Sequence, residues 1–161
     1  MKLYFPAMMR IELMDWERAR AEASAIRRAV FVVEQGVPED IELDEHDPYC
    51  LHALARDAAG RAIGTGRLLP PEQEGAVAVG HIGRMAVLSA CRGQGVGSAL
   101  LEHLVAAAGS RGDAQVALSA QTHAVEFYRT HGFVAEGGEY LDAGIPHRAM
   151  RRALQSPKRN S

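Results

Sequence analysis

The chain has 161 residues, of which 47% are hydrophobic and 24% charged, and carries a formal net charge of −2 at pH 7. That length suits one domain able to bury a core without disulfides or metal, and the charge balance excludes a strongly basic nucleic-acid binder. The two cysteines, Cys50 and Cys91, form no disulfide framework, zinc spacing or redox dithiol, and point to a reducing cytoplasm.

The opening MKLYFPAMMRIEL is interrupted by Pro6, Arg10 and Glu12 before a signal-peptide core could form. No later run approaches the roughly 18 apolar residues of a membrane span. Apolar residues at Trp16, Ala19, Ala23, Ile26 and Val30 follow the spacing of one helix face and predict a helix over 16–33. EQGVPEDIELDEHDPY follows, with two prolines and seven acidic residues, and reads as a loop containing at most a short helical turn. Its run 38–47 is expected to be mostly solvated. Asp44 alone is kept as a carboxylate that would rim a pocket and draw in a cationic group.

LHALAR (51–56) and AIGTGRLL (62–69) read as strands joined by a glycine-containing turn, and PPEQEG (70–75) marks a second reversal. The third strand, AVAVGHIGRMAVL, loses its alternation between Gly80 and Gly83, which predicts a bulge or kink there. Next comes CRGQGVGSALLEHL, where Gly93, Gly95 and Gly97 precede an amphipathic helix carried by Val96, Leu100, Leu101, Leu104, Val105 and Ala108. VALSA (116–120) is a short strand. THAVEFYRTHGF reads as a second helix capped by Thr122 and ended by Gly132, and FVAEGGEYLDAGIPHRAMRRAL as two strands around a turn at 142–146. The layout is a mixed α/β sheet in which the crossover 85–120 makes two strands parallel.

A strand entering a glycine-rich turn and then a helix aims free backbone N–H groups and the positive helix end at one point, which suits a phosphate or pyrophosphate. On the glycines alone, a tightly packed turn is an equal alternative. A Walker A loop would end in Gly-Lys-Ser/Thr, whereas Gly95-Val96-Gly97-Ser98 offers no lysine for a terminal phosphate. A dinucleotide loop would want an acidic residue at the end of the next strand, but VALSAQ supplies none.

Arg92-Gly93-Gln94-Gly95-Val96-Gly97 resembles the Q/R-x-x-G-x-G/A acetyl-coenzyme A signature of the GNAT N-acetyltransferases, with the strand MAVL before it and a helix after it. AVEFYRTHGF (124–133) resembles the second family segment, and FVVEQG, AQTHAVEFY and GIPHRAM resemble the ElaA-like branch. The resemblance covers residues 10–154 as one N-acetyltransferase domain, followed by a short polar tail at 155–161. It implies a mixed, mostly antiparallel sheet with one splayed parallel strand pair, flanked by helices. It further implies that acyl-coenzyme A pairs its pantetheine arm with the backbone of Met85, Ala86 and Val87. The amides of Gly93, Gln94, Gly95, Val96, Gly97 and Ser98 would hold the pyrophosphate. Arg92 would contact phosphate or cap the loop.

The chemistry needs a neutral amine, a donor to the tetrahedral oxyanion and a proton for the departing thiolate. The resemblance gives the Val87 N–H the oxyanion role and Tyr128 that of the thiolate acid, against a reading of Tyr128 as a core tyrosine beside Phe127. Glu34 and His147 are the candidates for general base; Glu34 could equally be a surface residue or helix cap, and His147 structural. His52, His81, His123 and His131 have no metal-ligand spacing, and no metal is expected. Cys91 reads as small filler. The expected activity is transfer of an acetyl group from acetyl-coenzyme A to a primary amine of a small molecule or peptide by direct attack. Neither nucleic acid nor membrane is an expected partner, and a homodimer is one admissible assembly. The alternatives are a module that binds acyl-coenzyme A without turnover and an acyl-homoserine-lactone-synthase-like enzyme.

Overall fold

The computed structural model describes residues 9–42 and 44–155. The chain divides into two units, one formed by residues up to Pro70 together with Gly83–Leu104, the other by Pro71–Ile82 and the chain from Val105 onward. The fold is a mixed α/β one, with one parallel strand pair and the remaining pairs antiparallel.

In the first unit, β1 (Arg10–Met14), β2 (Leu51–Arg56) and β3 (Ala62–Leu68) lie side by side, and β3 hydrogen-bonds to β5 (Val77–Val87). Asp15 starts α1 (Trp16–Arg27) by accepting the Arg18 amide at 3.0 Å, satisfying one of the N–H groups that a helix start leaves open. Ala19, Ala23 and Ile26 turn inward from α1 and pack with Met14, Val30, Leu54 and Ala86. The sequence pattern predicts one helix as far as 33. Instead α1 stops at Arg27 and the chain continues as a wider π-helical segment, Arg28–Glu34, closed by the Gln35 amide on the Val30 carbonyl at 3.1 Å. Val30, Val32 and Val33 are β-branched and crowd the preceding turn of an α-helix, which weakens the regular continuation.

A short helix, α2 (Glu39–Glu42), and a 3₁₀ turn, Asp47–Tyr49, lead back to β2. The strand β1 escapes the sequence pattern, although Arg10, Ile11, Glu12 and Leu13 alternate polar and apolar, because the stretch is only five residues long; it is held by its ladder to β2, from Arg10↔Arg56 to Met14↔His52.

In the second unit, β5 pairs in parallel with β6 (Gln115–Gln121), from Val79↔Gln115 to Ile82↔Leu118. The expected parallel crossover is thus present. Three-residue β4 (Glu72–Glu74), not foreseen within PPEQEG, pairs with the start of β5. α4 (Val125–Thr130) follows a 3₁₀ turn at Thr122–Ala124, and β7 (Val134–Asp142) and β8 (Ile145–Ala153) form the closing hairpin. Thr122 is not the cap of α4: Ala124 takes that position, and the Thr122 hydroxyl donates to Glu139 at 3.3 Å. The hairpin bend at 143–144 is left-handed at Ala143 (φ 52°) and Gly144 (φ 77°). α3 (Val96–Ser110) runs through both units, and Leu100, Leu101, Leu104, Val105 and Ala108 on it are buried. Among the described residues, no helix is long and apolar enough to cross a membrane.

Candidate active site

The glycine loop lies in the first unit, where β5 gives way to α3. The Leu88 amide donates to the Ile63 carbonyl of β3 at 3.0 Å, so the strand is anchored up to the point where the loop begins. A 3₁₀ turn, Ser89–Cys91, reverses the chain, and Gly93 and Gly95 then take φ of 78° and 83°, values that a side chain would strain. The Gly95 carbonyl accepts the Ala99 amide at 3.1 Å, which sets the first turn of α3 and leaves the amides just before it pointing off the helix end. Residues 92–95 are exposed, while Met85 and Val87 are half-buried and Ala86 is buried. Cys91 is half-buried at the loop's edge.

Close packing of α3 on the sheet depends on β3. A Cβ on Gly64 would come within 2.9 Å of both Val96 Cγ1 and Leu100 Cδ1 and 3.3 Å of the Ala86 carbonyl oxygen. The glycines of AIGTGRLL, read from sequence only as strand residues, are what let the start of α3 lie against β3 and β5.

Arg92 and Glu34, singled out for different reasons in the sequence, come together. The guanidinium places Nη1 and Nη2 at 2.6 and 2.7 Å from the two Glu34 carboxylate oxygens, and its Nε donates to the Val87 carbonyl at 3.0 Å. The hydrogen bonds from Arg92 hold the Glu34 carboxyl below the usual carboxylate range. Glu34 stands at the last position of the π-helical segment, so the wide turn ends on the loop arginine.

The acidic run differs from its expected solvated state. Glu42 and Asp47 are buried, 5% and 1% exposed, and both face arginines. Arg27, itself 1% exposed, binds Glu42 through its Nε and Asp47 through Nη1 and Nη2 at 2.9 and 3.0 Å. Arg67 on β3 reaches Asp44 with both terminal nitrogens at 2.8 Å and Asp47 at 2.8 Å. Arg84 on β5 donates to the Glu42 carbonyl and to Asp44, each at 3.1 Å. Three arginines therefore meet three carboxylates. Burial works against the charge on Asp44, but the hydrogen bonds and charge of Arg67 outweigh it, and the carboxyl sits well below its usual range. Asp47 is likewise lowered, with Arg27 and then Arg67 overcoming the burial penalty. As for the rim role expected of Asp44, its carboxylate is engaged by Arg67 and Arg84.

The arginines were missed because their partners lie far along the chain. One signal was present: Arg27 stands four residues after Ala23 on the apolar face of α1, where a solvated arginine does not belong. His52, buried beside Trp16 with ring centroids 4.8 Å apart, holds the Asp47 carbonyl through Nε2 at 2.9 Å; burial lowers its pKa.

Tyr128 and His147 lie in the second unit. Tyr128 is 8% exposed and meets Phe127 and Phe133 edge-on, with centroids 5.0 and 5.9 Å away. Burial pushes its phenol up to about 12. His147 is buried at the start of β8, in register with Gln121 of β6 and Tyr140 of β7, whose ring stacks on it at 6.1 Å. Its Nδ1 is 2.6 Å from the Ile145 carbonyl. A carbonyl oxygen only accepts, so Nδ1 carries the proton and the neutral ring keeps its lone pair on Nε2.

The pairing of β4 with β5 also gathers Glu72, Glu74 and His81, though their spacing suggested no metal site. Glu74 is bonded to Arg151 at 3.2 Å, so a cation already serves that carboxylate.

A family model for the Acetyltransferase (GNAT) domain matches residues 19–154. The protein named "Uncharacterized N-acetyltransferase YjcF" of Bacillus subtilis (strain 168) is 36% identical over 137 residues, covering 84% of this chain and 94% of that protein. Among solved structures, an acyl-CoA N-acyltransferase from Pseudomonas aeruginosa superimposes with a TM-score of 0.77 at 36% identity, covering 90% of this chain and 99% of that one. Escherichia coli ElaA superimposes with a TM-score of 0.75 at 29% identity and the same coverage.

Proposed function

Because the chain belongs to the GNAT family of N-acetyltransferases, we propose that it transfers the acetyl group of acetyl-coenzyme A to the primary amine of a small molecule or peptide. The observation that carries the donor half is the loop between β5 and α3. Its two left-handed glycines and exposed helix-end amides suit a pyrophosphate, while Arg92, paired with Glu34 and the Val87 carbonyl, would cap the loop. Arg92, Gly93, Gln94 and Gly95 of the loop and Val96, Gly97 and Ser98 of the first turn of α3 would surround the pyrophosphate. The edge formed by Met85, Ala86 and Val87 leads into it and would pair with the pantetheine arm.

The acceptor amine attacks the thioester carbonyl directly: a C–N bond forms, the C–S bond breaks, and the amine proton and the thiolate must both be served. The Val87 N–H would donate to the oxyanion. Tyr128 would donate to the thiolate; a phenol pushed up to about 12 stays protonated throughout the working pH range and is always ready as a donor. Of the two candidate bases, His147 is favoured. Its Nδ1–H is committed to the Ile145 carbonyl, which fixes the tautomer and leaves Nε2 to accept. Glu34 is the weaker candidate, because both of its oxygens are on Arg92 and its carboxyl is lowered. The two free cysteines fit a reducing cytoplasm.

Release of coenzyme A from acetyl-coenzyme A across a panel of amines, alongside a calorimetric titration of the donor, tests this reading. Binding with amine-dependent release is expected. Binding without release on any amine would make the chain a sensing module, and a marked preference for long acyl donors would favour the homoserine-lactone-synthase-like alternative. Replacement His147→Gln is expected to lower kcat/KM by about a hundredfold or more.

A further inference from the structure

Arg84 is a non-glycine residue held at φ 52° in the body of β5. It lies two residues beyond the last parallel rung, Ile82↔Leu118, and directly before Met85. The alternation of the sequence predicted a bulge at 80–83; the left-handed residue is one position later, and it is an arginine although Gly83 stands next to it. An L-residue in this region is strained. Such a conformation persists only where its surroundings hold it.

What holds it is on the same side chain. The Arg84 Nε donates to the Glu42 carbonyl and its Nη2 to the Asp44 carboxylate, each at 3.1 Å. Neither anchor is free to drift. Asp44 is gripped by Arg67 of β3 through two 2.8 Å bonds, and the Glu42 carbonyl also accepts from Arg27 at 3.1 Å. Glu42 and Arg27 are both almost wholly buried. The Glu42 carbonyl and the Asp44 carboxylate are thus fixed points, and Arg84 is tied to them by a two-pronged fork.

Immediately after the kink, the chain enters its closely packed stretch. A Cβ on Gly66 would lie 2.5 Å from Met85 Sδ, and one on Gly64 3.3 Å from the Ala86 carbonyl oxygen. The backbone of 85–87 therefore takes its direction from the kink at 84 and its position from β3. We infer that Arg84 is a positioning residue: its fork on Asp44 and the Glu42 carbonyl pins a left-handed kink that aims the Met85–Val87 edge for the acyl donor. This inference rests on the donor reading given above, but its first half, the tether that stabilises the kink, stands without it.

The test compares Arg84→Gly, Arg84→Lys and Arg84→Ala. All three lose the fork; glycine alone adopts the left-handed backbone without strain. If the tether exists to hold the kink, Arg84→Gly is the mildest change. It keeps acetyl-coenzyme A affinity, measured by calorimetry, within about threefold of the parent, whereas Arg84→Lys and Arg84→Ala weaken it by roughly tenfold, the factor expected of uncompensated left-handed strain. The same order is expected in thermal unfolding without ligand. A plain surface cation beside an anionic ligand, or simple ionic glue, gives the opposite order, with lysine milder than glycine; that result, or equal loss in all three, overturns the inference. Should Arg84→Ala fail to fold, the lysine and glycine pair decides. If the parent chain binds no acetyl-coenzyme A, the donor reading and the aiming role fall together, and the ligand-free unfolding order still decides whether the tether holds the kink.

Discussion

Arg92 gives both terminal nitrogens to Glu34, at 2.6 and 2.7 Å, and its Nε to the carbonyl of Val87 at 3.0 Å. One guanidinium thereby joins the end of the π-helical segment, the end of β5 and the start of the glycine loop. Orientation is what this pair supplies, because an exposed ion pair contributes only about 0.2–1 kcal/mol.

Replacing Glu34 with Gln is accordingly expected to lower kcat at saturating amine by less than about fivefold, a change of that size. Steady-state kinetics near neutral pH checks this. A hundredfold loss in kcat would make Glu34 the general base instead.

Tyr128→Phe removes only the hydroxyl from a side chain already packed on Phe127 and Phe133. Thermal stability is expected to change little. With a good amine, kcat is expected to fall by about a hundredfold, the low end of general-acid effects. Since the phenol is pushed up to about 12, the parent enzyme shows no alkaline limb from this group at ordinary pH. Unchanged turnover in the phenylalanine variant would return Tyr128 to the core.

The carboxylates of Asp44 and Asp47 are lowered in the fold, so their contribution to stability is complete above the ordinary aspartate value of 3.8. It is lost as pH falls from there through the lower folded values, where the folded protein must take up protons that the unfolded chain already holds. Asp47→Asn leaves Arg27 and Arg67 short of a buried partner and is expected to cost about 3–5 kcal/mol at neutral pH. Urea unfolding at a series of pH values checks both points: the variant should be less stable than the parent at pH 7 and should lose less on acidification.

Gly64→Ala places a methyl 2.9 Å from Val96 Cγ1, a branched group on the first turn of α3 that has little freedom to move aside. Overpacking of this kind costs about 1–3 kcal/mol. Because Val96 follows Gly95 directly, the same displacement should weaken acetyl-coenzyme A binding. Thermal unfolding and calorimetry on one preparation would show both losses, and a stable variant with parental affinity would mean that α3 does not depend on the close approach.

Much of the stretch from β5 through the glycine loop into α3 was legible because it is written in local chemistry. Glycine at 93 and 95 is required by positive φ, the apolar spacing of 96–108 is that of a helix, and the break in alternation near Gly83 marks the kink to within a residue. The acidic run was not legible in the same way. Seven carboxylates in fourteen residues look solvated until Arg27, Arg67 and Arg84 are brought to them from other elements.

By itself, then, the sequence determined the order of the main elements, the parallel crossover and the kind of loop, since periodicity and glycine conformation act over a few residues. Only the tertiary structure decided which charges are partners. It turned Glu34 toward Arg92, buried Glu42 and Asp47 against Arg27, and tied Arg84 to Asp44. The reason is physical: a charge survives burial only when an opposite charge from elsewhere in the chain meets it there, and that meeting is a property of the folded chain.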